Sequence, residues 1–191
     1  MQAELERSFE VDYARRPPIF LPYLDGGSAP GEETPPTAAL VGLRAADSPT
    51  DMLRAVIQGV AFGLRDIFES LGPTATPITQ VQLAGPLATH DSWCQLMADV
   101  LGIPTARTQI ADTTELGAAM IGAVGVGMWD SIDSAANGML RLSSEFQPRG
   151  EAVEFHADTF RRFQSIRSAL GLGASRRLGQ DVRIGPTREV P

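Results

Sequence analysis

The chain contains no lysine: all 16 of its basic residues are arginine. That absence excludes a Walker-type phosphate loop, whose lysine reaches the β- and γ-phosphates. Cysteine is nearly as scarce. Cys94 stands alone, so the chain offers no disulfide framework and no cysteine-based metal site. Its two histidines, His90 and His156, lie far apart in sequence and lack clustered ligands. No apolar run approaches the ~18 residues a membrane span requires. The first residues, MQAELERSFEVDYARRPP, are too polar for a signal peptide. A net charge of −7 argues against nonspecific binding to nucleic acid or to an anionic membrane. These absences lead to the expectation of a cytoplasmic protein with neither nucleic acid nor membrane as a partner.

What is present supports one folded domain. A chain of 191 residues with 43% hydrophobic content buries an ordinary core. Residues 1–18 read as a polar lead-in with a double proline. Ile19 to Leu24 (IFLPYL) reads as a short strand interrupted by Pro22, which confines it to an edge or a bend. Asp25 to Pro36 (DGGSAPGEETPP) reads as a loop long enough to be functional. The best-marked element follows. Ser48 suits an N-cap, Pro49 the first helical position and Asp51 the first turn. Leu53, Val56, Ile57, Val60, Leu64, Ile67, Phe68 and Leu71 then recur at helical spacing until Gly72-Pro73. The spacing predicts one continuous helix over 48–71.

Beyond it, strands and helices alternate, which is the pattern of an α/β domain. Val81-Gln82-Leu83 reads as a strand ending at Gly85, and Trp93 to Leu101 as a helix closed by Gly102. Residues 103–108 read as a second strand. Asp112-Thr113-Thr114-Glu115 opens a helix that runs through Ala118, Ala119 and Ile121 toward Gly125 or Gly127. A weaker helix is expected over 132–140, and an amphipathic one over 152–170 carries Phe155, Phe160, Phe163 and Ile166. Residues 173–191 have little apolar content and read as a disordered tail.

The stretch LAGPLATHDSWCQLMADVLGIPTARTQIADTTELGAAM, residues 83–120, carries the chemistry. A glycine-bearing turn between strand and helix lets a phosphate approach backbone N–H groups at the helix N-terminus, where the dipole favours negative charge. Three other features carry less. Gly122-x-x-Gly125-x-Gly127 resembles a dinucleotide fingerprint but ends a helix instead of opening one, so capping and close packing explain it. Cys94 beside Trp93 reads as a small core residue. Glu32-Glu33 reads as solvated loop charge.

Four blocks, in order, resemble the C-terminal, nucleotide-side lobe of the FGGY carbohydrate kinases, the family of xylulokinase and glycerol kinase. Phe20-Leu21-Pro22-Tyr23-Leu24 matches the first, although Asp25-Gly26-Gly27-Ser28-Ala29-Pro30 lacks the family's Glu and Arg in the turn after it. Ala38 to Leu43, then Asp51-Met52 and Ala55 to Phe62, match the second almost throughout. In the third, the family's run of glycines with an alanine becomes Gly85-Pro86-Leu87-Ala88, followed by His90, Trp93 and Gln95. Pro86 has no N–H to offer a phosphate, and Leu87 adds a side chain where a nucleotide would approach the backbone. The fourth, Asp112 to Ala119, matches the family's acidic helix start, where Gly117 and the alanines would let the helix pack closely against the nucleotide-side sheet.

The resemblance covers residues 19–172 and implies a single α/β lobe of the actin-like ATPase (ribonuclease H-like) fold, xylulokinase-like. It implies that Gly85, Pro86, Leu87, Ala88 and His90 bind the nucleotide, His90 against the adenosine. It implies ATP and Mg²⁺ as cofactors of a complete enzyme that phosphorylates a sugar or polyol. No catalytic residue is assigned, because the family's catalytic Asp, sugar pocket and phosphate-gripping turns belong to a segment with no match here. The chain alone is therefore expected to be inactive, with a separate N-terminal kinase half as its partner. A noncatalytic interaction or regulatory domain and a decayed kinase fragment are the alternatives. A lobe of this kind is expected to expose apolar surface beside residues 20–24 and the 25–36 loop.

Overall fold

The structure, a computed structural model, describes residues 2–9, 13, 15–26, 37–71, 77–110 and 112–172. Helix α1 (Gln2–Phe9) comes first, followed by β1 (Ile19–Leu21) and β2 (Ala39–Val41), which pair antiparallel with Ile19 opposite Val41. Helix α2 (Pro49–Ser70) is continuous, as the spacing predicts. Its start is closed reciprocally: Ser48 Oγ accepts the Asp51 N–H at 3.2 Å, and the Asp51 carboxylate accepts the Ser48 N–H at 2.8 Å. The Ser48 backbone N–H, and then its hydroxyl, hold the Asp51 carboxyl down at about 2, with Arg15 and Arg54 adding to the effect. Helix α2 lies directly on β1. A Cβ at Gly59 would sit 2.4 Å from the Phe20 carbonyl oxygen, so only glycine permits this approach.

Next come β3 (Val81–Leu83), α3 (Asp91–Leu101), β4 (Thr105–Thr108), α4 (Thr113–Gly125), α5 (Ile132–Met139), β5 (Leu142–Phe146) and α6 (Gly150–Ala169). Strand β4 is the middle of a three-stranded sheet, parallel to β3 and antiparallel to β5. The main core joins β1, α2, α3 and α6 through Ile19, Leu21, Phe62, Trp93, Met97, Phe160 and Phe163, with Leu83 packed against it. Two ion pairs tie α6 to its neighbours. Fully buried Asp99 of α3 accepts the Arg149 N–H at 2.8 Å and its guanidinium at 2.6 Å, and Asp66 of α2 pairs with Arg167. A smaller cluster of Leu116, Met120 and Ala135 joins α4 to α5.

Several features differ from the sequence reading. The lead-in contains α1, which packs on α2, where the Arg54 guanidinium reaches the Arg7 carbonyl at 3.2 Å. Strand β5 was not foreseen; its LSSEF sequence has little apolar content and is held by pairing with β4. The small-residue face of α4 does not lie on the sheet. Its buried side, Leu116 and Met120, turns to α5, leaving Ala118 and Ala119 exposed and the space beside Gly117 open. Of the apolar surface expected beside residues 20–24 and the 25–36 loop, Leu24 is well exposed and residues 27–36 lie outside the described residues; Ile121, Val126, Met128 and Ile132 are also exposed, around the end of α4. Gly127, at φ +73°, accepts the left-handed turn that ends α4, with its N–H donating to the Val124 carbonyl. The Glu32-Glu33 pair, the Gly72-Pro73 stop and the 173–191 tail lie outside the described residues.

Candidate functional site

The parallel pair β3 and β4 ends at one edge, and the antiparallel β5 begins there. Beyond that edge lies a cleft of about 280 Å³ lined by Gly85, Ala88, Thr89, Arg107, Thr108, Gln109 and Ser143. The crevice past the carboxyl ends of parallel strands is where open α/β sheets take their ligands. Two segments shape it. Strand β3 passes through Gly85 into one turn of 3₁₀ helix (Pro86–Thr89) and then α3, and β4 runs out through Gln109 toward α4.

Gly85 has φ +88° and ψ −179°, a region essentially closed to other residues. A Cβ there would meet nothing within 4 Å, because it would project into open space. Ala88 is buried and reaches the cleft wall. Pro86 opens the 3₁₀ turn and Leu87 stands 52% exposed on it, both away from the lining. His90 is half-buried and sits at the N-cap of α3 without a side-chain capping bond. The five residues implied by the resemblance thus fall within the single stretch 85–90, but only Gly85 and Ala88 face the cleft.

The start of α3 differs from a bare anion site. A 3₁₀ turn precedes it, and its first residue is Asp91, whose carboxylate already answers the positive end of the dipole. Asp91 in turn receives the Arg107 guanidinium at 2.8 Å. Beyond β4, Asp112 caps α4 by accepting the N–H groups of Thr114 and Glu115 at 3.0 and 3.2 Å. Among the described residues no carboxylate lines the cleft. The geometry suits a neutral, nucleoside-sized group better than a proton transfer.

Arg107 escaped the sequence reading. Its signal was a charge in the middle of a short strand, Thr105-Ala106-Arg107-Thr108. Cys94 is buried and its thiol donates to the Ala88 carbonyl at 3.3 Å. Burial pushes the thiol pKa up while Arg107 pulls against it, so the group stays an unreactive core residue. Among the described residues no three His, Cys, Asp or Glu side chains gather closely enough to hold a metal ion. No described helix is long and apolar enough to cross a membrane.

Comparison with known proteins agrees with this architecture. Residues 2–126 match the model of the FGGY family of carbohydrate kinases, C-terminal domain. The chain is 26% identical over 148 residues to the xylulose kinase of Bacillus subtilis, covering 78% of this chain and 30% of that protein. It is 35% identical over 111 residues to the glycerol kinase of Gloeobacter violaceus, covering 58% of this chain and 22% of that protein. Among solved structures, ligand-bound xylulose kinase from Lactobacillus acidophilus superposes with a TM-score of 0.79 at 24% identity, over 89% of this chain and 34% of that one. Plasmodium falciparum glycerol kinase with ADP superposes with a TM-score of 0.67 at 21% identity, again over 89% and 34%. The chain thus spans about a third or less of the length of these relatives. Their fold, and this one, is a lobe of the actin-like ATPase type. With its family model matched over most of its length, the chain belongs to the FGGY family of carbohydrate kinases, as a version of their C-terminal domain.

Proposed function

We propose that this chain is the nucleotide-side part of an ATP-dependent kinase that phosphorylates a hydroxyl group of a sugar or polyol, working in the cytoplasm. The observation that carries the reading is the cleft at Gly85, Ala88 and Thr89, past the carboxyl ends of β3 and β4. At about 280 Å³ it falls just short of the roughly 300–1,000 Å³ of ligand sites, a size that suits the nucleoside end of a nucleotide. The likeness of fold to a glycerol kinase solved with ADP supports the same reading. In this account Gly85 and Ala88 face the adenosine, while Pro86, Leu87 and His90 belong to the turn that carries them. Mg²⁺ arrives on the phosphates of ATP, where it neutralises their charge.

Phosphoryl transfer needs a carboxylate to receive the acceptor hydroxyl's proton as its oxygen takes the γ-phosphoryl group and ADP leaves. The described residues of the cleft contribute none, so this reading places the base and the acceptor pocket in another part of the kinase. The uncovered face of α4 supports this, since Ala118, Ala119 and Ile121 form a surface suited to being covered. A coupled ADP-release assay over pentoses, hexoses and polyols tests the proposal. The purified chain is expected to give no turnover alone and to give it once an N-terminal-half polypeptide is added, with His90→Ala then weakening ATP binding without changing the preferred sugar. Robust turnover by the isolated chain would overturn it.

A further inference from the structure

The turn at the cleft is held by one side chain from the middle strand. Arg107 extends from β4, and its Nη1 donates to the carbonyls of Ala88 at 3.2 Å and Thr89 at 3.1 Å and to the Asp91 carboxylate at 2.8 Å. Its Nη2 donates to Ser144 Oγ on β5 at 3.1 Å, and its guanidinium carbon lies 5.9 Å from the Phe146 ring centre. One planar fork therefore joins the last residues of the 3₁₀ turn, the first residue of α3 and the neighbouring strand. We infer that Arg107 is the positioning residue of the nucleoside turn, setting the shape of 88–91 that the cleft requires. This rests on the reading of the cleft as a nucleoside site.

The inference follows from what else holds the turn. Its carbonyls at 88 and 89 point out of the regular ladder, and without a donor they would be left partly unsatisfied beside a cleft. The Cys94 thiol is a weak donor and reaches only the Ala88 carbonyl. Strand β4 is paired on both sides, so the Arg107 backbone is the rigid base from which the clamp works. A lysine offers its donors from a single point and cannot span from Asp91 to Ser144. Asp91 is largely exposed and serves as the outer end of the clamp, not as part of the core.

Hydrogen exchange and calorimetry on the full chain separate the clamp from the nucleotide reading. Arg107→Gln should raise exchange at the amides of Ala88, His90, Trp93 and Cys94 by about tenfold, the loss of one charge-assisted hydrogen bond, while amides of α2 and α6 keep theirs. Asp91→Ala, at an exposed site that cannot unfold the core, should raise the same amides by less, and Arg107→Lys should fall between wild type and Arg107→Gln. Adenosine and ADP should both bind Arg107→Gln more weakly by the same factor. Unchanged exchange in 88–94 overturns the inference. A larger loss for ADP than for adenosine also overturns it, because Arg107 would then touch the phosphates directly. If wild type binds neither ligand while the exchange pattern holds, the nucleoside reading of the cleft fails and the clamp stands.

Discussion

The His156 ring is buried on α6 between Phe62 and Phe155, and neither ring nitrogen has a hydrogen-bond partner. Burial lowers its pKa from 6.5 to about 4, against the pull of Asp99 and with help from Arg149 and Arg65. Below 6.5 the unfolded chain takes up a proton that the folded chain refuses until about 4, so the unfolded state binds more protons in that window. The contribution to stability is whole above 6.5 and lost as pH falls toward 4, by up to about 3 kcal/mol. The urea midpoint of wild type should therefore fall relative to that of His156→Leu as the pH drops from 7 to 4, because only wild type carries this term. Parallel pH profiles would show that the ring is solvated in the folded chain. His90 stands out in the sequence by its motif, but nothing there marks His156 as buried and unpaired. The difference lies in the aromatic packing of α2 against α6, which only the fold brings together.

Helix α2 shows what separates legible elements from the rest. Its cap, its first-turn proline and its apolar spacing are all local, so Ser48 to Leu71 announces a helix without help from any neighbour. Its contact with β1 is not local. Gly59 reads as an unremarkable small residue until the Phe20 carbonyl is seen 2.4 Å from where its Cβ would stand. Ser48→Ala should cost about 1 kcal/mol, the usual worth of a lost N-cap. Gly59→Ala should cost more, about 1–3 kcal/mol, since the helix must lift off the strand. Urea unfolding of the two variants gives the order, and a cheaper Gly59→Ala would mean that α2 and β1 are less closely packed. Helices α3 and α4 were legible for the same reason as α2. Strand β5 was not, because five residues of LSSEF become a strand only through their partner β4. The turn at the cleft was legible from Gly85, yet Arg107 was not, because its role depends on three elements meeting.

At the scale of the molecule, the sheet is divided. Strands β1 and β2 form one piece and β3, β4 and β5 another, although Ile19, Leu21 and Leu83 pack in one core. Among the described residues, β1 is paired only with β2 and β3 only with β4, leaving each with an edge free for pairing. On the proposed reading these edges, the uncovered face of α4 and a cleft without a carboxylate among its described residues belong to a lobe that works against further structure. The central claim is that its cleft holds a nucleoside. Calorimetric titration with Mg-ATP and with adenosine, on wild type and on Gly85→Val, tests it most directly. The account predicts that Mg-ATP binds wild type no tighter than high micromolar, because each missing charge-assisted phosphate contact costs on the order of 1.5–3 kcal/mol, and that adenosine, which needs no such contact, binds about as well. It predicts that Gly85→Val, which strains the turn and fills the opening, abolishes that binding. Binding that survives Gly85→Val unchanged, or no heat from either ligand on wild type, would contradict it.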